Sequence, residues 1–289
     1  NENIYYLGQA YVFTWQNNKI DLLFNGNHET NNVDFDHYLK KLGYNFKNQG
    51  NELGGYAILN NRKTSLIMDV GPSPDKKFSS NYQAGALSFE IISNGKKLIC
   101  NSGYFQNHDH RLNELSKSSA AHSTLVLDDR SSCKFKKTKT KTSEISQGLR
   151  ILKKNIVLEK NFWKINAVHD GYLKQYGIIH DREIEFYPEQ IKFIGYDKII
   201  SKNNIKKLKF EIRFHLEPNI KIMKTQDNKS ILIELDGEGW KFNSDNYNIN
   251  IDNGLYFGKK NSFVDNQNIV ISGMTNDENQ TIKWEITKL

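Results

Sequence analysis

Eight histidines, two cysteines and one lysine run are the residues of this 289-residue chain whose types and spacing could do chemistry. His108-Asp-His110 alternates two imidazoles, a spacing that could hold a metal, although in so polar a loop plain solvation is the other reading. His180 and Arg182 stand two apart, so on a strand they share a face and could contact a sulfate or carboxylate. His169 and Asp170 either face a ligand or bridge two strands. His122, within Ala120-Ala-His-Ser-Thr124, reads as a metal ligand or catalytic imidazole, or as a buried structural histidine. Lys134-Phe-Lys-Lys-Thr-Lys-Thr-Lys141, if extended, turns Lys137, Lys139 and Lys141 to one face. That face could hold an anionic chain, or could be a solvated edge whose charge blocks sheet-to-sheet association. Cys100 and Cys133 are read as two free thiols, Cys100 being a small core residue in an apolar strand pattern. Tyr104 and Tyr172 are read as packing residues.

The net charge of +7 favours acidic partners, although lysine is spread along the whole chain. A nucleic-acid module rests on charge alone, because no basic motif interleaved with aromatics is present, and none is expected. No run of 18 apolar residues exists, so no transmembrane helix is expected. The chain opens on Asn1-Glu-Asn without an initiator Met or a signal peptide, and is read as a fragment of a longer protein.

The elements that must position these residues are overwhelmingly strands. Branched or alternating apolar runs recur every 8 to 12 residues between Asn, Gly and Asp. Hairpins are expected around Asn17-Asn18, Asn60-Asn61 and Asn94-Gly95, the last being the strongest turn signal in the chain. Strand patterns follow at 184–186 and 191–193 around Pro188, then at 207–216, 220–223, 231–235, 269–272 and 284–287. Residues 33–42 carry apolar positions 35, 38, 39 and 42 at helical spacing, and 111–119 could form a second short helix. The expected fold is all-β: a large antiparallel β-sandwich with one or two short helices. Residues 1–50 are read as a lead-in segment or linker and 51–289 as the β domain.

Several of these pieces fall in an order that resembles the heparinase II/III-like polysaccharide lyases. Their C-terminal domain carries His-x-His-x-Asp-x-x-Ser-Phe-Glu, then a strand ending Asp-x-Gly, then Arg-x-Thr-Ala-Ala-His-Asn-Thr. Here Leu87-Ser-Phe-Glu90 is similar to the end of the first block. Asp69-Val-Gly-Pro72 is similar to the strand before it, Asn101-Ser-Gly103 to the second block, and Lys117 to Thr124 to the third. His169 to Tyr172, His180 to Arg182, Arg213 to Pro218 and Gly237 to Trp240 resemble later parts of the family.

The resemblance implies a β-sandwich that packs against an N-terminal helical toroid missing from this chain, with an acidic polysaccharide between them. It implies β-elimination and leaves the compartment open between a bacterial cell envelope, which the family favours, and the cytoplasm. Asn81 takes the place of the catalytic His, and an amide cannot serve as the general base. Gln83, Asn101 and His122 take the places of a structural metal site, a poor ligand set for zinc, so neither zinc nor calcium is expected. Gly85 replaces the motif's Asp. Lys117 replaces the Arg, keeping its charge but not its two-pronged geometry. The resemblance thus implies catalytic positions at Asn81 and His122 and substrate contacts at Gln83, Lys117, His169, His180 and Arg182. The chain alone is expected to be inactive, and a member that binds glycan without eliminating is the alternative.

Overall fold

The computed structural model describes residues 20–30, 33–44, 50–139, 142–202, 207–276 and 279–289. Its strands are β1 (Glu52–Leu53), β2 (Tyr56–Asn60), β3 (Thr64–Asp69), β4 (Phe89–Ser93), β5 (Lys96–Ile99), β6 (Leu125–Leu127), β7 (Lys134–Lys137), β8 (Ser143–Gln147), β9 (Ile151–Leu158) and β10 (Trp163–His169). They continue as β11 (Ile178–Tyr187), β12 (Lys192–Ser201), β13 (Lys209–His215), β14 (Lys221–Lys224), β15 (Ser230–Leu235), β16 (Glu238–Ser244), β17 (Asn248–Tyr256), β18 (Val264–Met274) and β19 (Gln280–Lys288). Short helices cover Val33–Lys41, Arg111–Lys117 and Leu173–Tyr176. No helix among the described residues is long and apolar enough to cross a membrane.

The strands make three main antiparallel sheets and a separate β7–β8 hairpin. A five-stranded sheet runs β1-β2-β3-β4-β5. An eight-stranded sheet runs β14-β15-β16-β19-β12-β11-β10-β9, and a four-stranded one runs β17-β18-β13-β6. The strand alternation expected of sheets with one packed face is visible along β11, where Ile184 and Phe186 are buried while Glu183 and Glu185 are partly exposed. The β4–β5 turn has both Asn94 and Gly95 at positive φ, the backbone that pairing after a two-residue loop demands.

One apolar cluster draws on all three sheets. Phe89 of β4 stacks on Trp284 of β19 with centroids 5.3 Å apart, and Phe214 of β13 meets Trp284 edge-on at 4.9 Å. Gly195 of β12 is where the Trp284 ring lies flat on backbone, since a Cβ there would stand 2.0 Å from Cζ2. Leu22 and Phe24 pack on Ile58, Ile67 and Ile92, but 20–24 form no strand, and most of the hairpin expected around Asn17-Asn18 lies outside the described residues.

Candidate functional site

Asn81 lines an open pocket of about 250 Å³ together with Asn25, Tyr56, Asp69, Phe78 and Tyr82. The end of β3 delivers Asp69, β2 delivers Tyr56, and the short turn Lys76–Phe78 leaves the Phe78 ring 69% exposed at the rim. Asp69 Oδ1 accepts from the Gly71 N–H at 3.1 Å, and Oδ2 accepts from Asn25 Nδ2 at 3.1 Å. The same Asn25 amide donates to the Tyr56 hydroxyl at 2.8 Å. Burial pushes the Asp69 carboxyl up to about 7, because two neutral donors do not offset the loss of water. Burial likewise raises the Tyr56 and Tyr82 phenols, each further raised by the Asp69 charge, so both stay protonated across the neutral range. The pocket therefore holds a carboxyl poised between its two protonation states beside protonated phenols. The motif comparison did not single out Asp69 for this role; the signal was an acid closing an otherwise apolar strand.

Of the seven positions expected to act on substrate, Asn81 is exposed and the other six are buried. Arg182 is fully enclosed. Its Nε and Nη2 donate to the two Asp197 oxygens at 2.7 and 3.1 Å, and Nη1 donates to the carbonyls of Leu87 at 2.9 Å and Ser123 at 2.7 Å. His180 Nε2 donates to Asp197 Oδ1 at 2.7 Å, and Trp284 Nε1 to Oδ2 at 2.8 Å. His169 Nε2 reaches His180 Nδ1 at 3.2 Å while its Nδ1 accepts from the Gly171 N–H. Desolvation lowers both imidazoles, which stay neutral, and the Arg182 and His180 partners hold Asp197 well below the usual carboxylate range. His169, His180 and Arg182 therefore form a buried brace inside the sandwich, with His169 and His180 linked across neighbouring strands and Arg182 bound to Asp197. Asp170 instead pairs with Arg150 at 2.9 Å.

Gln83 is also buried and fully engaged. Its amide donates to Gly103 O at 2.9 Å and Ser116 O at 2.6 Å, and its oxygen accepts from the Gly26 N–H at 2.9 Å. Asn101 donates to Glu90 Oε1 and accepts from the Ser123 N–H at 3.0 Å. His122 Nδ1 donates to Ser118 O at 2.8 Å, leaving Nε2 without a partner, and burial lowers its imidazole to about 4. Its ring fills the space a side chain at position 85 would need, since a Cβ on Gly85 would stand 2.5 Å from His122 Cδ2. The residues at the metal positions thus do not fit a metal: two of the three have their amide atoms committed to protein partners, and one imidazole nitrogen is left. Among the described residues no group of three or more His, Cys, Asp or Glu is placed to hold one.

Lys117 is 1% exposed, with Nζ donating to the Ser80 and Ser143 carbonyls and lying 4.9 Å from the Phe135 ring centre. Desolvation lowers its ammonium to about 8. His110 caps the helix Arg111–Lys117 by accepting from the Leu112 N–H, so it serves local structure. Both cysteines are free and buried. In the lysine run, Lys134, Lys136 and Lys137 of β7 are exposed, and Lys141 lies outside the described residues.

A family model described as heparinase II/III-like, C-terminal, matches residues 50–285. Among solved structures, a heparan sulfate lyase from Pedobacter heparinus aligns with a TM-score of 0.76 at 14% identity, covering 98% of this chain and 46% of that one. Two heparinase III structures align at TM-scores of 0.73 and 0.69, with 15% and 16% identity, over 94% and 100% of this chain and 44% and 47% of theirs. Identities this low speak to the fold. A curated protein from Caulobacter vibrioides, FtsZ-localized protein C, is 24% identical over 251 residues, which is 81% of this chain and 42% of that protein. The chain thus spans less than half the length of each of these proteins.

Proposed function

This chain belongs to the heparinase II/III-like family through its C-terminal part, and on that premise we propose that it forms one wall of a groove for an acidic, uronate-containing polysaccharide. The observation that carries this reading is the pocket beside Asn81, where an exposed aromatic ring, two phenols and a carboxyl of neutral pKa converge. The proposed reaction is β-elimination. A base takes the proton from C5, the C4–O4 bond breaks as the C4=C5 bond forms, and an acid protonates the departing O4. Asn81 cannot take that proton. Asp69 is the group of this pocket that can hold one, and Tyr56 one that can give one up. Neutralising the uronate carboxylate requires groups from the facing wall.

A second reading is favoured by the amides at 81, 83 and 101 and by a relative whose name ties it to FtsZ rather than to a glycan. In it the fold is kept for binding or assembly without elimination. No metal takes part in either reading.

The test is to incubate the longer protein with a panel of acidic polysaccharides and follow unsaturated-uronate absorbance, with binding measured in parallel. Turnover lost in Asp69→Asn and Tyr56→Phe supports elimination. Binding without turnover supports the second reading, and absence of both overturns the polysaccharide assignment.

A further inference from the structure

A cavity of about 820 Å³ lies between the helix Arg111–Lys117, the segment Asp129–Cys133 and the β7–β8 hairpin. The polysaccharide reading has not used it. Its charge balance is one-sided. The two acids that line it are already paired: Glu114 with Lys137 at 2.7 Å, and Asp129 with Lys209 at 3.7 Å. The other three cations of the lining, Lys117, Arg130 and Lys134, make no ion pair with a carboxylate among the described residues. Lys117 adds the stronger observation. It is a buried ammonium whose hydrogen-bond partners are two neutral carbonyls, so a positive charge sits at the floor of the cavity with no anion beside it. Desolvating a charge without a counter-ion is costly, and a bound anion removes that cost.

The cavity is also next to the Asn81 pocket. The segment Ser79–Tyr82 touches both. On the cavity side Ser80 O accepts from Lys117, the Ser79 hydroxyl accepts from the Ile145 N–H of β8 at 2.9 Å, and the Tyr82 ring lies 6.5 Å from that of Phe135 in β7. On the other side Asn81 and Tyr82 line the first pocket. A chain that leaves the Asn81 pocket and crosses this segment enters a cavity of positive charge.

We infer that this cavity is a second subsite, which takes the sulfate or carboxylate groups of an acidic polysaccharide whose reacting unit lies beside Asn81. The inference rests on the polysaccharide reading for the identity of its ligand, and on the uncompensated cations for its existence. Arg130 and Lys134 supply exposed contacts at the rim, and Lys117 supplies a buried positive charge. The paired Lys137 contributes little.

The experiment measures binding of a heparan sulfate oligosaccharide to the full chain over a series of salt concentrations, with a neutral maltooligosaccharide as control. Arg130→Gln/Lys134→Gln removes two cations from the rim and leaves the core untouched. Expected is a loss of affinity of about tenfold and a drop of about two in the slope of log affinity against log salt, about one per cation removed. A parallel melting series compares sodium sulfate with sodium chloride at equal ionic strength. Sulfate should raise the midpoint of the wild type more than that of the double variant. Asn81→Ala, in the first pocket, separates the two ideas. If Asn81→Ala weakens glycan binding while the double variant binds as wild type with the same slope, the reading stands and the subsite is overturned. If the wild type ignores the glycan but gains a sulfate-specific midpoint shift that the double variant lacks, the anion site stands and the polysaccharide reading falls. If the wild type shows neither, both are overturned.

Discussion

Replacing Asp69 with Asn should change how stability depends on pH, and the size of that change follows from the carboxyl's surroundings. The group titrates near 7 when folded against its ordinary 3.8, with burial as the main cause. Its folded pKa is raised, so between those values the native chain keeps a proton that the unfolded chain has released. Stability therefore falls as pH rises through that window, by up to about 1.4 kcal/mol per pH unit and by about 4 kcal/mol across it. Asp69→Asn has the same shape and no titration. It gives up one accepted hydrogen bond, from Gly71 or from Asn25, which costs about 1 kcal/mol at every pH. The variant should then be less stable than wild type by about 1 kcal/mol near pH 3 and more stable by about 3 kcal/mol near pH 8. The assay is urea unfolding followed by tryptophan fluorescence between those limits. The buried histidines 122, 169, 180 and 215 have lowered pKa values and act in the opposite sense, losing stability as pH falls. They are shared by both proteins and cancel in the difference. A difference that stays constant with pH would refute this account of Asp69.

Arg182→Met leaves the Asp197 carboxylate buried without its two-pronged partner and should cost about 3–5 kcal/mol in urea unfolding; a cost below 1 kcal/mol would show the brace to be dispensable. Gly195→Ala should lose about 3 kcal/mol by driving a methyl into Trp284, seen as a lower unfolding midpoint with altered tryptophan fluorescence. His122 should titrate near pH 4 in a nitrogen NMR series, and a value near 6.5 would mean that its ring is solvated. Dialysis against a chelator should leave the unfolding midpoint unchanged, and stoichiometric zinc surviving dialysis would contradict the committed amides of Gln83 and Asn101.

The strand pattern was legible because its signals are local. Asn94-Gly95 needs no tertiary context to turn a chain, and residues 33–42 carried their helical spacing openly, matching the helix Val33–Lys41. β9, β10, β16 and β17 were not anticipated as strands. β9 carries Lys153, Lys154 and Asn155 in mid-strand, and β17 carries Asn248, Asn250, Asp252 and Asn253, so pairing partners rather than apolar alternation decide them. Asn81, given by the resemblance as the place of the catalytic His, is exposed at a pocket, while the neighbouring Gln83 is buried. The burial of His180 and Arg182 was not legible for a physical reason. Alternation says that two side chains share a face but not which face is covered, and a charged pair reads as solvent-facing until its partner is known. That partner, Asp197, lies 15 residues from Arg182 on the adjacent strand.

The same brace accounts for how the frame can persist while the chemical positions change. Leu87 holds a left-handed backbone at φ 56°, which its side chain disfavours, and the carbonyl it presents is gripped by Arg182. Arg182 also grips the Ser123 carbonyl, and Ser123 in turn ties Asn101, Cys100 and His215 together through its own hydrogen bonds. None of these links passes through Asn81 or Gly85. The motif's two halves are therefore held by different forces. Residues 87–90 and 120–124 are clamped from inside by Arg182 and Glu90, whereas 81–85 are held by main-chain contacts and by the Gln83 amide. An amide at 83 satisfies the carbonyls of both Gly103 and Ser116, where a metal-bound imidazole would have one N–H left to give. Amides at 81, 83 and 101 are thus accommodated without loosening the sandwich.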